Sequence, residues 1–122
     1  MIDDPKALFG LRLAHVGINA ADDAEAASIA EQFQTLMGLE RRQTAPISYF
    51  SDDMVEIMKG CGRGQKGHIG FHVDDIPAAE TWFAERGFEV NEDSRALNPD
   101  GSTFLVYFKQ EIGGFAIHLT QG

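Results

Sequence analysis

The chain alternates short runs of period-2 hydrophobicity with two longer segments of helical period. In LAHVGIN, residues 13–19, His15 and Gly17 face opposite Ala14, Val16 and Ile18. That is the pattern of a half-buried strand. GHIGFHV, residues 67–73, sets Ile69, Phe71 and Val73 against His68, Gly70 and His72, and MVEIMK and FAIHLTQ alternate in the same way. Strand-like runs cover residues 41–46, 47–51, 54–60, 88–95, 102–109 and 115–121. Turns are predicted at Asp52-Asp53, Pro99-Asp100-Gly101 and Gly113-Gly114.

Two segments carry helical spacing. The first runs from about Asp22 to Met37, with Ala26, Ile29, Phe33, Leu36 and Met37 on one stripe, Asp22 and Glu25 as a capping pair, and Gly38 as the left-handed stop. The second runs from about Ile76 to Arg86. Asp75 caps it, Pro77 sits in its first turn, Trp82 and Phe83 face the core and Gly87 ends it.

These elements repeat. HVGIN from His15 lies over HIGFH from His68, 53 residues later, and each copy leads into an acidic pair, an alanine-rich amphipathic segment, a glycine and further strands. The prediction is an α+β domain over residues 1–122, built from a duplicated βαβββ unit. Module one spans 11–60, the glycine-rich GCGRGQKG at 60–67 is a linker, and module two spans 67–121.

Charge and composition narrow the partners. Nineteen acidic against ten basic residues give a formal charge of −9, which repels nucleic acid and anionic membrane, so an anionic ligand needs a local positive site. One cysteine, Cys61, permits no internal disulfide, and no apolar N-terminal run resembles a signal or a span. A cytoplasmic setting is expected.

The interval between His68 and His72 suggests a helical HxxxH metal pair. Strand geometry argues otherwise, because four residues of strand span about 13 Å whereas zinc ligands stand about 2 Å from the ion. The two histidines share a face but no single ion. On four strands, however, the polar face carries one strong ligand type: His15, Glu56, His68 and His118. His72 is left as a rim contact. Arg42, Arg63, Lys66 and Lys109 are candidates for holding a carboxylate or phosphate, and Tyr49, Phe104 and Tyr107 for lining the site. GCGRGQKG lacks the spacing of a Walker phosphate loop.

LAHVGI, KGHIGFHVDD and HLTQ resemble the strand signatures of the vicinal oxygen chelate superfamily, which includes glyoxalase I and methylmalonyl-CoA epimerase. The resemblance covers roughly residues 11–121. It implies an open, cup-shaped, mainly antiparallel sheet of two βαβββ modules. It also implies one divalent metal ion (Zn, Ni, Mn, Co or Fe) held by the first and fourth strands of each module, at His15, Glu56, His68 and His118. Isomerase, epimerase or lyase chemistry on a small 2-oxo or 2-hydroxy acid is expected, through a metal-stabilised enediolate with Glu56 or bound hydroxide moving the proton, and His72, Tyr107 and Arg42 are expected near the substrate.

Family members usually pair as homodimers, and exposed sheet edges favour that here. KGHIG and FKQEIGGFAIHLTQ further resemble a small domain associated with bacterial keto-acid aldolases. The alternative reading is therefore a non-catalytic acid-binding or accessory module linked to an aldolase. Glyoxalase I-like members place a glutamate where this chain has His118, so the implied site is more positive, a stronger Lewis acid, and lacks a second carboxylate base.

Overall fold

The computed structural model describes residues 4–121, and eight strands join in one sheet. A five-residue helix α1 (Pro5–Phe9) leads into β1 (Arg12–Ala20), α2 (Asp23–Met37), β2 (Arg41–Ala45), β3 (Ser48–Ser51) and β4 (Val55–Lys59). The second half follows the same order with β5 (Gly67–Val73), α3 (Ile76–Ala84), β6 (Ala96–Leu97), β7 (Thr103–Ile112) and β8 (Phe115–Gln121). Strand order is β2-β3-β4-β1-β5-β8-β7-β6. The halves mirror each other: β1 pairs parallel with β4 and β5 parallel with β8, while every other pairing is antiparallel.

The join matters most for function. β1 and β5 pair antiparallel within one chain, with Gly17 opposite His68 and His15 opposite Gly70. The inner edges of both modules are thereby satisfied without a second chain, and β2 and β6 remain as the outer edges.

Both helices pack on the same face of the sheet. Ala26 and Ala30 of α2 are buried with Ala20 and Ile57, and Ile76 and Ala79 of α3 are buried with Val73, Val106 and Leu119. Asp22 accepts from the Glu25 amide at 2.8 Å as the expected cap, while Glu25 Oε1 accepts from the amide of Ala21, one residue before the cap, at 2.9 Å. The opposite face carries no helix. Strand alternation sends His15, Glu56, His68, Tyr107 and His118 there.

Four local expectations differ. Leu36 and Met37 are 77% and 63% exposed, and the buried contacts of α2 are made by small Ala26 and Ala30 instead. Helix α3 stops at Ala84 rather than Arg86, and the chain turns through Gly87 at φ 90°. Residues 88–95 form no strand beyond a single bridge from Val90 to Phe108, then a 3-10 turn at Glu92–Ser94. There Asn91 Oδ1 accepts from Asp93 N, and Arg95 is bidentate on both Glu80 and Glu92. Side-chain bonds of this kind compete with a ladder. Helix α1 was not anticipated; Phe9 packs edge-on to Trp82 at 6.1 Å.

Candidate metal centre

Three strands bring three histidines together on the helix-free face, and a fourth sets Glu56 beside two of them. His15 stands on β1, Glu56 on β4, His68 on β5 and His118 on β8, the two central strands and their parallel neighbours. His15 Nε2 lies 3.1 Å from His68 Nε2 and 3.4 Å from His118 Nε2. Glu56 Oε1 lies 3.1 Å from His68 Nε2 and 3.5 Å from His15 Nε2. The ligand atoms of the three histidines all fall within 4.8 Å of one another, and the carboxylate approaches on the side of His15 and His68.

These separations fit a cation. Ligands about 2.0–2.1 Å from an ion sit about 3.3 Å apart at the corners of a tetrahedron and about 3.0 Å apart when adjacent in an octahedron. Imidazole lone pairs that converge so closely cannot all be satisfied by one another, since a neutral ring presents a single N–H. The set of three imidazoles and a carboxylate suits zinc, nickel, manganese, cobalt or iron alike.

Close packing holds the rings in place. His68 and His118 are 2% and 1% exposed, and each lies over a glycine of the neighbouring strand. A Cβ on Gly17 would stand 2.5 Å from His68 Nε2 and closer still to Cε1 and Nδ1. One on Gly70 would meet His118 at Cε1 and Nε2, and reach Nδ1 at 3.2 Å. The glycine two residues after the histidine in each repeat is thus the seat for a ring from the adjacent strand. Alternation alone gives these glycines no part in the site; their recurrence at one position of both repeats is the sequence signal for it. The outer Nδ1 atoms of His68 and His118 are buried without a hydrogen-bond partner.

Buried Ser48, on β3, donates to Glu56 Oε2 at 2.7 Å. Nothing in the sequence marked it, because the contact depends on the pairing of β3 with β4. Burial alone would raise the Glu56 carboxyl, but hydrogen bonds from His15, His68 and Ser48 outweigh it and hold the group well below the usual carboxylate range. Burial, reinforced by neighbouring His15 and His68, pushes the His118 imidazole down to about 3. Both shifts favour the unprotonated forms that ligate metals.

The expected substrate residues divide. Tyr107 sits directly opposite His118, with ring centroids 5.0 Å apart and its ring 6.2 Å from that of His68. Burial and then the charge of Glu56 push its phenol up to about 12. Phe50 meets His15 edge-on at 5.5 Å and forms a wall that the sequence did not indicate. His72 shares the face but stands outside the cluster, opposite Arg12 and Thr120, and its imidazole is lowered by burial and then by Arg12 and His15. Arg42 stands two strands from Glu56 with its guanidinium 3.0 Å from Asp53 and 3.6 Å from Asp52. The hairpin carboxylates turn it away from the imidazoles. An apolar cavity of about 290 Å³, lined by Phe71, Trp82, Phe83, Phe108 and their neighbours, lies on the helix side and has no part in this centre.

The sheet order and the paired βαβββ units match a glyoxalase-like fold. Solved structures with this architecture include a variant of methylmalonyl-CoA epimerase from Streptomyces coelicolor in complex with 2-nitronate-propionyl-CoA. It is 17% identical, with 91% of this chain and 96% of that one covered and a TM-score of 0.62. The epimerase from Mycobacterium tuberculosis is 16% identical over 89% and 86% of the two chains with a TM-score of 0.59. A hypothetical protein from Bacillus halodurans is 12% identical over 92% and 94%, with a TM-score of 0.61. No family model and no curated protein matches the sequence. Among the described residues no helix is long and apolar enough to cross a membrane.

Proposed function

We propose that the chain is a divalent-metal-dependent epimerase or isomerase acting on a small 2-oxo or 2-hydroxy acid. The observation that carries this reading is the clustering of His15, His68 and His118 on the open face of the sheet, with Glu56 Oε1 3.1 Å from His68 and 3.5 Å from His15. The epimerases of the same fold supply an analogy for the reaction class. The four side chains would hold the ion. When bound, it polarises a substrate carbonyl and acidifies the adjacent C–H.

Glu56 is the group that moves the proton. Ser48 fixes Oε2 by donating to it, which leaves Oε1, on the side of His15 and His68, as the oxygen that exchanges a proton with the acidified C–H. One C–H bond breaks and another forms, either on the neighbouring carbon with the proton that Glu56 took or on the opposite face with a proton from solvent, with no net redox change. Tyr107, a neutral phenol at neutral pH, is positioned to donate to a substrate oxygen, and Phe50 excludes water from the His15 side.

Purified protein supplemented with cobalt, nickel, manganese or zinc is expected to hold close to one ion per chain, and His68→Ala to hold little. Proton NMR in D₂O is expected to show exchange at the carbon beside the carbonyl of a turned-over acid, lost in Glu56→Gln. A wild-type chain that takes up no metal after supplementation removes the enzyme reading and leaves the accessory-module alternative.

A further inference from the structure

The linker GCGRGQKG is built into the open face. Asn19, on the same face of β1 as His15, donates through Nδ2 to Gly64 O at 2.9 Å and to Arg63 O at 3.4 Å. Lys66 N donates to Gly114 O at 2.8 Å. Gly62 and Gly64 adopt φ 120° and 86°, a region that L side chains rarely enter. A Cβ on Gly64 would stand 2.7 Å from Ala116 N and would also meet Gly67 O, so the loop lies directly on the start of β8.

This path delivers Arg63 to the centre. Its Cζ lies 5.0 Å from the Tyr107 ring centroid, and the Tyr107 ring is a further 5.0 Å from that of His118. Among the described residues no carboxylate pairs with Arg63, nor with Arg41 over Tyr49, whereas Arg12, Arg42, Arg86 and Arg95 each face at least one. A guanidinium stacked on an aromatic ring keeps its N–H edge free for a bidentate anion. In a chain of formal charge −9, such a group beside the reaction centre is a local site of the opposite sign.

We propose that the inter-module loop is an anion-recognition loop, in which Arg63 binds a carboxylate or phosphate at the far end of an acid whose other oxygens face the imidazole cluster. This rests on the proposed acid substrate and narrows it to acids bearing a second anionic group. Tyr107 is the platform that orients the guanidinium, and Asn19 is the positioning residue that holds the loop.

Cobalt-loaded protein titrated calorimetrically with 2-oxoglutarate, 3-phosphoglycerate and 2-oxopentanoate tests the idea. Wild type is expected to favour one or both anion-tailed acids. Arg63→Ala should weaken those about 10–100-fold while leaving 2-oxopentanoate and the metal content unchanged. Arg63→Lys should recover part of the loss, and Asn19→Ala should show a smaller loss of the same selectivity. Preference for 2-oxoglutarate alone assigns a carboxylate, and preference for 3-phosphoglycerate alone a phosphate. Normal metal uptake with no tail preference, or with a tail preference that Arg63→Ala does not alter, overturns this inference alone. A wild-type chain that takes up no metal and binds none of the three acids overturns the proposed function with it.

Discussion

Replacing Gly17 by alanine tests whether the site depends on the seat for His68 or only on the ligands themselves. The new Cβ would stand 2.5 Å from His68 Nε2, where ordinary contact begins at 3.4 Å, so the ring must retreat by about 0.9 Å or more. His68 is 2% exposed and packed against His15 and Tyr107, which leaves it little room. Overpacking of this kind costs about 1–3 kcal/mol, corresponding to a Tm lower by roughly 4–15 °C in a chain of this size. The effect on metal should be larger, because ligand distances are held to within about 0.2 Å. Affinity is expected to fall about 100-fold or more.

Thermal denaturation of the metal-free protein and competition with a chromogenic chelator read the two effects separately. Gly87→Ala is the control: Gly87 has φ 90° and an added Cβ there meets nothing within 4 Å. It should lose about 1 kcal/mol of stability through backbone strain alone and keep its metal. A Gly17→Ala protein with wild-type metal affinity would refute the reasoning, whatever its Tm.

Ser48→Ala removes the 2.7 Å hydrogen bond to Glu56 and is expected to weaken metal binding about 10–100-fold, measured by the same chelator competition. The metal-free protein should lose stability as pH falls from about 6.5 toward 3. In that window the unfolded chain protonates its counterpart of His118 while the folded imidazole, held at about 3, stays neutral. Above about 6.5 the contribution no longer changes with pH. Urea midpoints across this range check the sign, and a flat profile contradicts it. Arg95→Ala leaves Glu80 and Glu92 without their bidentate partner. It should cost about 1–3 kcal/mol in urea unfolding with metal content unchanged. Dilution should not release metal, whatever the oligomeric state, because the candidate ligands meet within one chain.

The period-2 alternation of LAHVGIN, GHIGFHV and FAIHLTQ, the helix caps at Asp22 and Asp75, and the match of His15 to His68 were legible without coordinates, since each depends on neighbours in the chain. They placed the elements, the duplication and the polar face on which His15, Glu56, His68 and His118 lie. Register is different in kind. Only the pairing of β1 with β5 and β4, and of β5 with β8, decides that four side chains up to 103 residues apart come within 3.1–3.5 Å of a neighbour. The same pairing makes Gly17 and Gly70 seats for imidazole rings, brings Ser48 to Glu56, and ties Arg42 to its hairpin while setting Arg63 over Tyr107. Local sequence sets which way a side chain points from its own strand; what it meets there is set by the strand alongside, and hydrogen bonding across the sheet is a property of the tertiary structure alone.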